Sequence, residues 1–175
     1  TQYRVTVSPT DATLGPKDAK VTIVIFARFE CPFSKRAIET TLKRIHKTYG
    51  KRVRFVFKHN PLSNDKHGIS ASSAAIAAQN QGKFWPMHDL LFKHPKKLER
   101  DHLFTYAKQI GLKMDVFSRD LDSEVSRTRI KTDQAQAKKL GFPGTPNFFI
   151  NGWNVRGARD YKEFEALIEQ ALKTP

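Results

Sequence analysis

The chain has 175 residues, long enough for one domain with a sizeable buried core. Its 13 phenylalanines argue against disorder, and no apolar run approaches the roughly 20 residues that span a bilayer. It is strongly basic, with 31 Lys and Arg against 17 Asp and Glu and a formal net charge of +14, a balance that favours anionic partners.

The first expected element is an edge strand at Tyr3–Val7, where apolar and polar residues alternate. Residues 8–18 read as a turn-rich connector containing Pro9, Gly15 and Pro16. Val21–Ala27 is β-branched and apolar throughout, as suits a strand buried on both faces. A helix follows from about Pro32 to Tyr49, with Ile38, Leu42, Ile45 and Tyr49 on one side and cations on the other. Gly50 is placed to end it. Val53–Phe57 is the next strand, and the β-α-β order favours parallel pairing.

From residue 61 to 140 the pattern becomes helical: 71–81 is alanine-rich, 84–92 and 98–110 are amphipathic, 114–121 is short and 122–140 is long and polar-faced. No linker-like composition borders this stretch, so it reads as an insertion within one domain. After the loop Gly141-Phe-Pro-Gly-Thr-Pro146, strands at 147–150 and 153–156 flank an Asn-Gly hairpin turn. An amphipathic helix over 161–172 closes the chain. No repeat or low-complexity tract is present. No signal-peptide pattern is visible, and the start at Thr1 rather than Met leaves processing or trimming of one open.

Cys31, the only cysteine, stands at the strand-to-helix turn in Cys31-Pro32-Phe33-Ser34. A helix N-terminus lowers a thiol's pKa, and Pro32 suits the first helical position. Ser34 lies within one turn, where its hydroxyl can donate to a thiolate. Lys35 and Arg36 add positive potential and Glu30 opposes it. The competing reading is an inert buried cysteine packed as a small hydrophobe. A lone cysteine forms no intramolecular disulfide and is silent on redox compartment.

Elsewhere the candidates are weaker. The basic run from Lys43 to Arg54 and the clusters Pro95–Arg100 and Arg127–Lys131 lack an aromatic-interleaved pattern, so they read as solvated faces rather than a nucleic-acid site. His46, His59, His67, His88, His94 and His102 show no metal-ligand spacing with one another or with Cys31, and no metal or other cofactor is expected. His88 reads as a packing or capping residue, Phe84 and Trp85 as core, and Glu30 as a solvated acid, with a role in tuning Cys31 as its alternative.

The joint order of Cys31-Pro-Phe-Ser34, the helical insertion with Gly82-Lys-Phe-Trp-Pro-Met-His-Asp-Leu-Leu-Phe92, and Gly144-Thr-Pro146 before the hairpin resembles the DsbA-like thiol-disulfide oxidoreductases. The resemblance covers about Lys17 to Lys173. It implies an α/β thioredoxin-like fold with an all-helical insertion: a core of 17–60 and 141–175, an insertion of 61–140, and one domain over 1–175. It implies that Cys31 is the nucleophile, Pro32 and Phe33 tune it, Pro146 is a cis-proline beside the active site, and Thr145 and Pro146 meet substrate. It implies an extracytoplasmic, periplasm-like setting and protein or peptide thiols and disulfides as partners.

The departure is Ser34, where the family pattern has a second cysteine. One thiolate attacks in disulfide exchange and a second resolves, and Ser34 cannot resolve. Three explanations stand: an introduced serine, a natural monothiol enzyme reset by glutathione or another partner, or a fold kept for binding alone. A basic binding module and a glutathione-dependent transferase or isomerase are therefore the alternatives to an oxidoreductase.

Overall fold

A computed structural model describes all residues, 1–175. Five strands form one mixed sheet in the order β1-β3-β2-β4-β5. They are β1 (Ala12–Leu14), β2 (Val21–Ala27), β3 (Val53–His59), β4 (Asn147–Ile150) and β5 (Trp153–Arg156). β2 and β3 run parallel in the register Ile23↔Phe55 and Ile25↔Phe57. The other three pairings, β1 with β3, β2 with β4 and β4 with β5, are antiparallel.

The central strands are apolar throughout because both sheet faces are covered. Successive side chains of a strand point to opposite faces. Ile23, Ile25, Phe55, Phe57, Phe148 and Ile150 therefore join the large core on one face. Val24, Phe26, Val56 and Phe149 form a smaller cluster with Ala137 on the other.

The segment from Cys31 to Gly50 is helical but not uniformly α. It comprises α1 (Pro32–Arg36), a π-helical stretch (Ala37–Leu42) and α2 (Lys43–Tyr49), then a 3₁₀ turn (Gly50–Arg52). Ile38, Leu42, Ile45 and Tyr49 are all buried, as their spacing requires. Between β3 and β4 lie α3 (Gly68–Asn80), α4 (Phe84–Lys93), α5 (Arg100–Gln109), α6 (Met114–Leu121) and α7 (Glu124–Leu140). Ser123 caps α7 by accepting from the Ser126 amide at 3.2 Å, and Gly141 ends it in the left-handed region. Helix α8 (Tyr161–Lys173) returns to the sheet through Phe164 and Ile168, with Phe164 edge-on to Phe148 at 4.9 Å.

The N-terminus corrects the sequence reading. Tyr3–Val7 is not a strand; only Gln2 bridges to Trp153. Its alternation instead lays Tyr3, Val5 and Val7 over the smaller apolar cluster. The edge strand is β1, inside the expected connector and ahead of residue 17. It is three residues long, a short edge of the kind that resists pairing with another chain. Gly15 follows at φ +105, where a Cβ would meet the Val53 carbonyl oxygen at 2.6 Å.

Candidate functional site

The strand-to-helix turn places Cys31 as the residue that caps α1, with extended dihedrals of φ −83° and ψ 115°. Its Sγ accepts the Ser34 backbone N–H at 3.3 Å. The sulfur therefore takes one of the amides that every helix N-terminus leaves unpaired, and it sits at the positive end of the helix dipole. Pro32 occupies the first helical turn, where it has no N–H to leave unsatisfied. Across the site, Cys31 Sγ lies 3.7 Å from the Thr145 carbonyl oxygen, to which the protonated thiol donates. The Thr145-Pro146 peptide bond is cis. Thus residues 114 positions apart in sequence are folded together, bringing the loop before β4 against the start of α1.

Cys31 is almost wholly enclosed, at 2% exposure. Burial is the largest single influence on its acidity and pushes the thiol up. The Ser34 and Thr145 side chains, the Ser34 amide and the Arg28 charge outweigh it, so the thiol lies below its ordinary range. The Ser34 hydroxyl is buried and has no partner in the resting geometry, which leaves it free to favour a negative sulfur. Phe33 points the other way. At 55% exposure it is a large apolar side chain held in solvent beside the thiol.

Of the sequence-predicted residues, Cys31, Ser34 and Thr145 meet directly, Pro146 is buried next to them, and Pro32 and Phe33 form the exposed lip. The cations are not the expected ones. Lys35 bonds the Lys93 carbonyl oxygen and faces Glu39, and Arg36 lies over the Phe33 ring at 5.4 Å. The charge that acts on Cys31 belongs to Arg28, which the sequence reading did not single out. Arg28 Nε donates to Thr145 Oγ1 at 3.2 Å, and its Nη1 pairs with Asp65. Position alone, three residues before the cysteine at the end of a strand, was the available signal. Glu30 is not a solvated acid: its carboxylate accepts the His67 amide at 2.6 Å and ties down the loop before α3.

His88 is a packing residue and not a cap. It is buried among Phe29, Phe57, Phe84, Trp85 and Phe92, with Nδ1 on Asp89 at 2.9 Å. Phe84 is core; Trp85 is half-buried and donates Nε1–H to the Thr13 carbonyl oxygen at 2.9 Å. An apolar cavity of about 210 Å³ between the π-helical stretch and α4 contains none of the residues around the thiol.

This arrangement can do a limited set of things. It holds one thiol whose pKa its donors lower below the ordinary value. It presents a backbone carbonyl and an exposed aromatic beside that thiol, and it supplies no second thiol.

The thioredoxin family model matches residues 7–170. A thioredoxin-like oxidoreductase from Silicibacter pomeroyi superposes with a TM-score of 0.87 at 27% identity, covering 96% of this chain and 95% of that one. Oxidised BdbD from Bacillus subtilis superposes with a TM-score of 0.84 at 26% identity, covering 94% of each. Among curated sequences, a protein named Na⁺/H⁺ antiporter NhaA from Herminiimonas arsenicoxydans is 37% identical over 163 residues, which is 93% of this chain and 26% of that protein. The chain spans about a quarter of the length of such relatives. With the thioredoxin model matched over nearly all of its length and a helical stretch set between β3 and β4, the chain belongs to the thioredoxin family and carries the DsbA-like form of its fold.

Proposed function

We propose that the protein is a thiol-disulfide oxidoreductase that acts on protein disulfides through Cys31 alone. One observation carries the reading. The only thiol caps a helix at 3.3 Å from the Ser34 amide and faces the Thr145 carbonyl oxygen at 3.7 Å. The Cys31 thiolate attacks one sulfur of a substrate disulfide. A Cys31–substrate disulfide forms, and the other substrate sulfur leaves as a thiolate. Ser34 cannot attack that bond. A thiolate from outside, either a small thiol such as glutathione or a partner protein, attacks the substrate sulfur, and Cys31 departs as thiolate. Thr145 and Pro146 hold the substrate backbone during the first step, in the manner of an added strand. An extracytoplasmic location belongs to the same reading.

The test uses intact mass. Exposed to a disulfide-bonded peptide, the protein accumulates a one-to-one Cys31–peptide disulfide, which added glutathione then releases. The Ser34→Cys variant does not accumulate it and instead ends with an internal disulfide. Absence of any adduct on the unaltered chain, with Cys31 still open to alkylation, overturns the proposal in favour of a binding module.

The alignment with a quarter of proteins named as antiporters supports a second reading, in which this thiol chemistry serves an ion transporter. It predicts that the Cys31 adducts trapped in the native host include a membrane transporter identified by mass. Only water-soluble partners would sink it.

A further inference from the structure

We propose that the cavity flanking the Cys31 site, between the π-helical stretch and the β5–α8 loop, selects acidic polypeptide segments. The inference rests on the reading that Cys31 engages a polypeptide, and it names the chemistry of that polypeptide. The β5–α8 loop is fixed to the cis-proline, since the Gly157 amide donates to the Pro146 carbonyl oxygen at 2.9 Å. Between this loop and the first turns after Cys31 lies a cavity of about 390 Å³, lined among others by Arg36, Thr40, Thr41, Arg159, Asp160 and Tyr161. It flanks the Phe33–Pro146 lip, because its lining residue Arg36 reaches the Phe33 ring and Ala158 follows the Gly157 that bonds Pro146.

Arg36 in the lining, and Arg44 against the lining residue Tyr161, are held in place without being neutralised. Arg36 Nη2 donates to the Ala158 carbonyl oxygen at 3.2 Å, and the guanidinium is 5.4 Å from the Phe33 ring centre. Arg44 stacks on the Tyr161 ring at 3.7 Å. Neither has a carboxylate within 4.0 Å. Arg159 faces Glu163 at a long 3.4 Å, and Asp160 is the one carboxylate in the lining. A guanidinium offers five N–H groups in a fixed plane that matches a carboxylate, and little entropy is lost when it is already stacked. Arg36, with most of its donors unused in the lining, suits carboxylates of an extended chain. The spacing fixes where they fall. Arg36 follows Cys31 by five residues, about 7.5 Å of helix rise, which an extended strand covers in about two residues. The preferred substrate thus carries Asp or Glu about two or three residues from its reacting cysteine.

The test uses three peptides, each with one cysteine activated as a thiopyridyl disulfide. Two or three residues away they carry Glu, Gln or Lys. Attack by Cys31 forms the Cys31–peptide disulfide and releases thiopyridone, which is followed by absorbance. At low salt the Glu peptide is expected to react about tenfold faster than the Lys peptide, and added salt shrinks the ratio. The Arg36→Glu/Arg159→Glu variant is expected to invert the order. Dividing by the Gln-peptide rate removes any loss of folded protein or of thiol reactivity. Equal Glu and Lys rates, or an order that the double variant leaves as it was, overturns this inference and leaves the parent reading standing. No thiopyridone from any peptide, while iodoacetamide still alkylates Cys31, overturns both.

Discussion

A thiol used as a helix cap combines two roles that usually belong to different residues. The side chain that satisfies the Ser34 amide is also the group whose negative charge that amide favours. Deprotonation strengthens the cap, and the cap promotes deprotonation. Burial opposes this, since an enclosed sulfur loses solvation when charged. The net lowering therefore depends on the small donors around the sulfur, and Ser34 contributes both its amide and its hydroxyl. Alkylation by iodoacetamide followed against pH is expected to give a midpoint below the ~8.5 of a free thiol. Ser34→Ala retains the amide and loses the hydroxyl, so its midpoint moves up and its rate at pH 7 falls. Arg28→Gln moves it in the same direction by removing the one nearby cation that acts on the sulfur. A Ser34→Ala profile that overlays the parent's would show that the hydroxyl does not reach the thiolate.

The elements that position this site differ in how openly the sequence announces them. The hairpin is plain: Asn151 at φ 45° and Gly152 at φ 87° make the tight turn that Asn-Gly encodes. Asn151 also fastens the turn to β2, accepting the Thr22 amide at 2.8 Å and donating to the Lys20 carbonyl oxygen at 3.1 Å. A Cβ on Gly152 would collide with the Tyr3 carbonyl oxygen as well as strain the backbone. Gly152→Ala is therefore expected to destabilise by about 2 kcal/mol, read as a lowered urea midpoint with an unchanged slope. A loss under about 0.5 kcal/mol would show that the N-terminal segment yields instead. Continuous apolar runs made β2 and β3 legible, the Asn-Gly turn the closing hairpin, and 3.6-residue periodicity the amphipathic helices. Periodicity misled at Tyr3–Val7, where alternation reflects packing over Phe142 and Phe149 and not a ladder. It could not show β1, which has three residues and depends on pairing with β3. Nor could it show the π-helical stretch, since Ile38 and Leu42 keep helical spacing through it. At the site, Cys31, Ser34 and the Thr-Pro loop were legible as motifs. Arg28 was not, because its role is a tertiary one, joining Thr145 to Asp65.

Across the whole molecule, the polar groups that the fold buries set how its stability responds to pH. His59 ends β3 with both ring nitrogens buried and unpartnered, packed near Phe29, Phe57 and Phe84. Burial, aided by Arg129 and His88, pushes its pKa down to about 3. The unfolded chain protonates this residue below about 6.5, whereas the folded one does not until about 3. Stability is thus lost as pH falls through that window, at up to about 1.4 kcal/mol per pH unit. Asp133 on α7 works the other way. Its carboxylate accepts the His59 amide at 2.8 Å and lies 3.9 Å from the buried Lys58, whose closer partner is Asp11 at 2.7 Å. Burial outweighs the pull of the His59 amide and Lys58 and raises Asp133 to about 6. Between about 6 and the unfolded value near 3.9, the folded state holds a proton that the unfolded state releases, so stability is gained as pH falls. The two slopes oppose each other from about pH 6 to 4, on residues joined by one hydrogen bond. Asp133→Asn keeps an oxygen for the His59 amide and removes the gain, so relative to the parent its urea midpoint should drop progressively from pH 6 to 4. His59→Phe removes the loss without breaking a hydrogen bond, so relative to the parent its midpoint should rise over the same range. Variant profiles parallel to the parent's would show that neither proton is linked to folding.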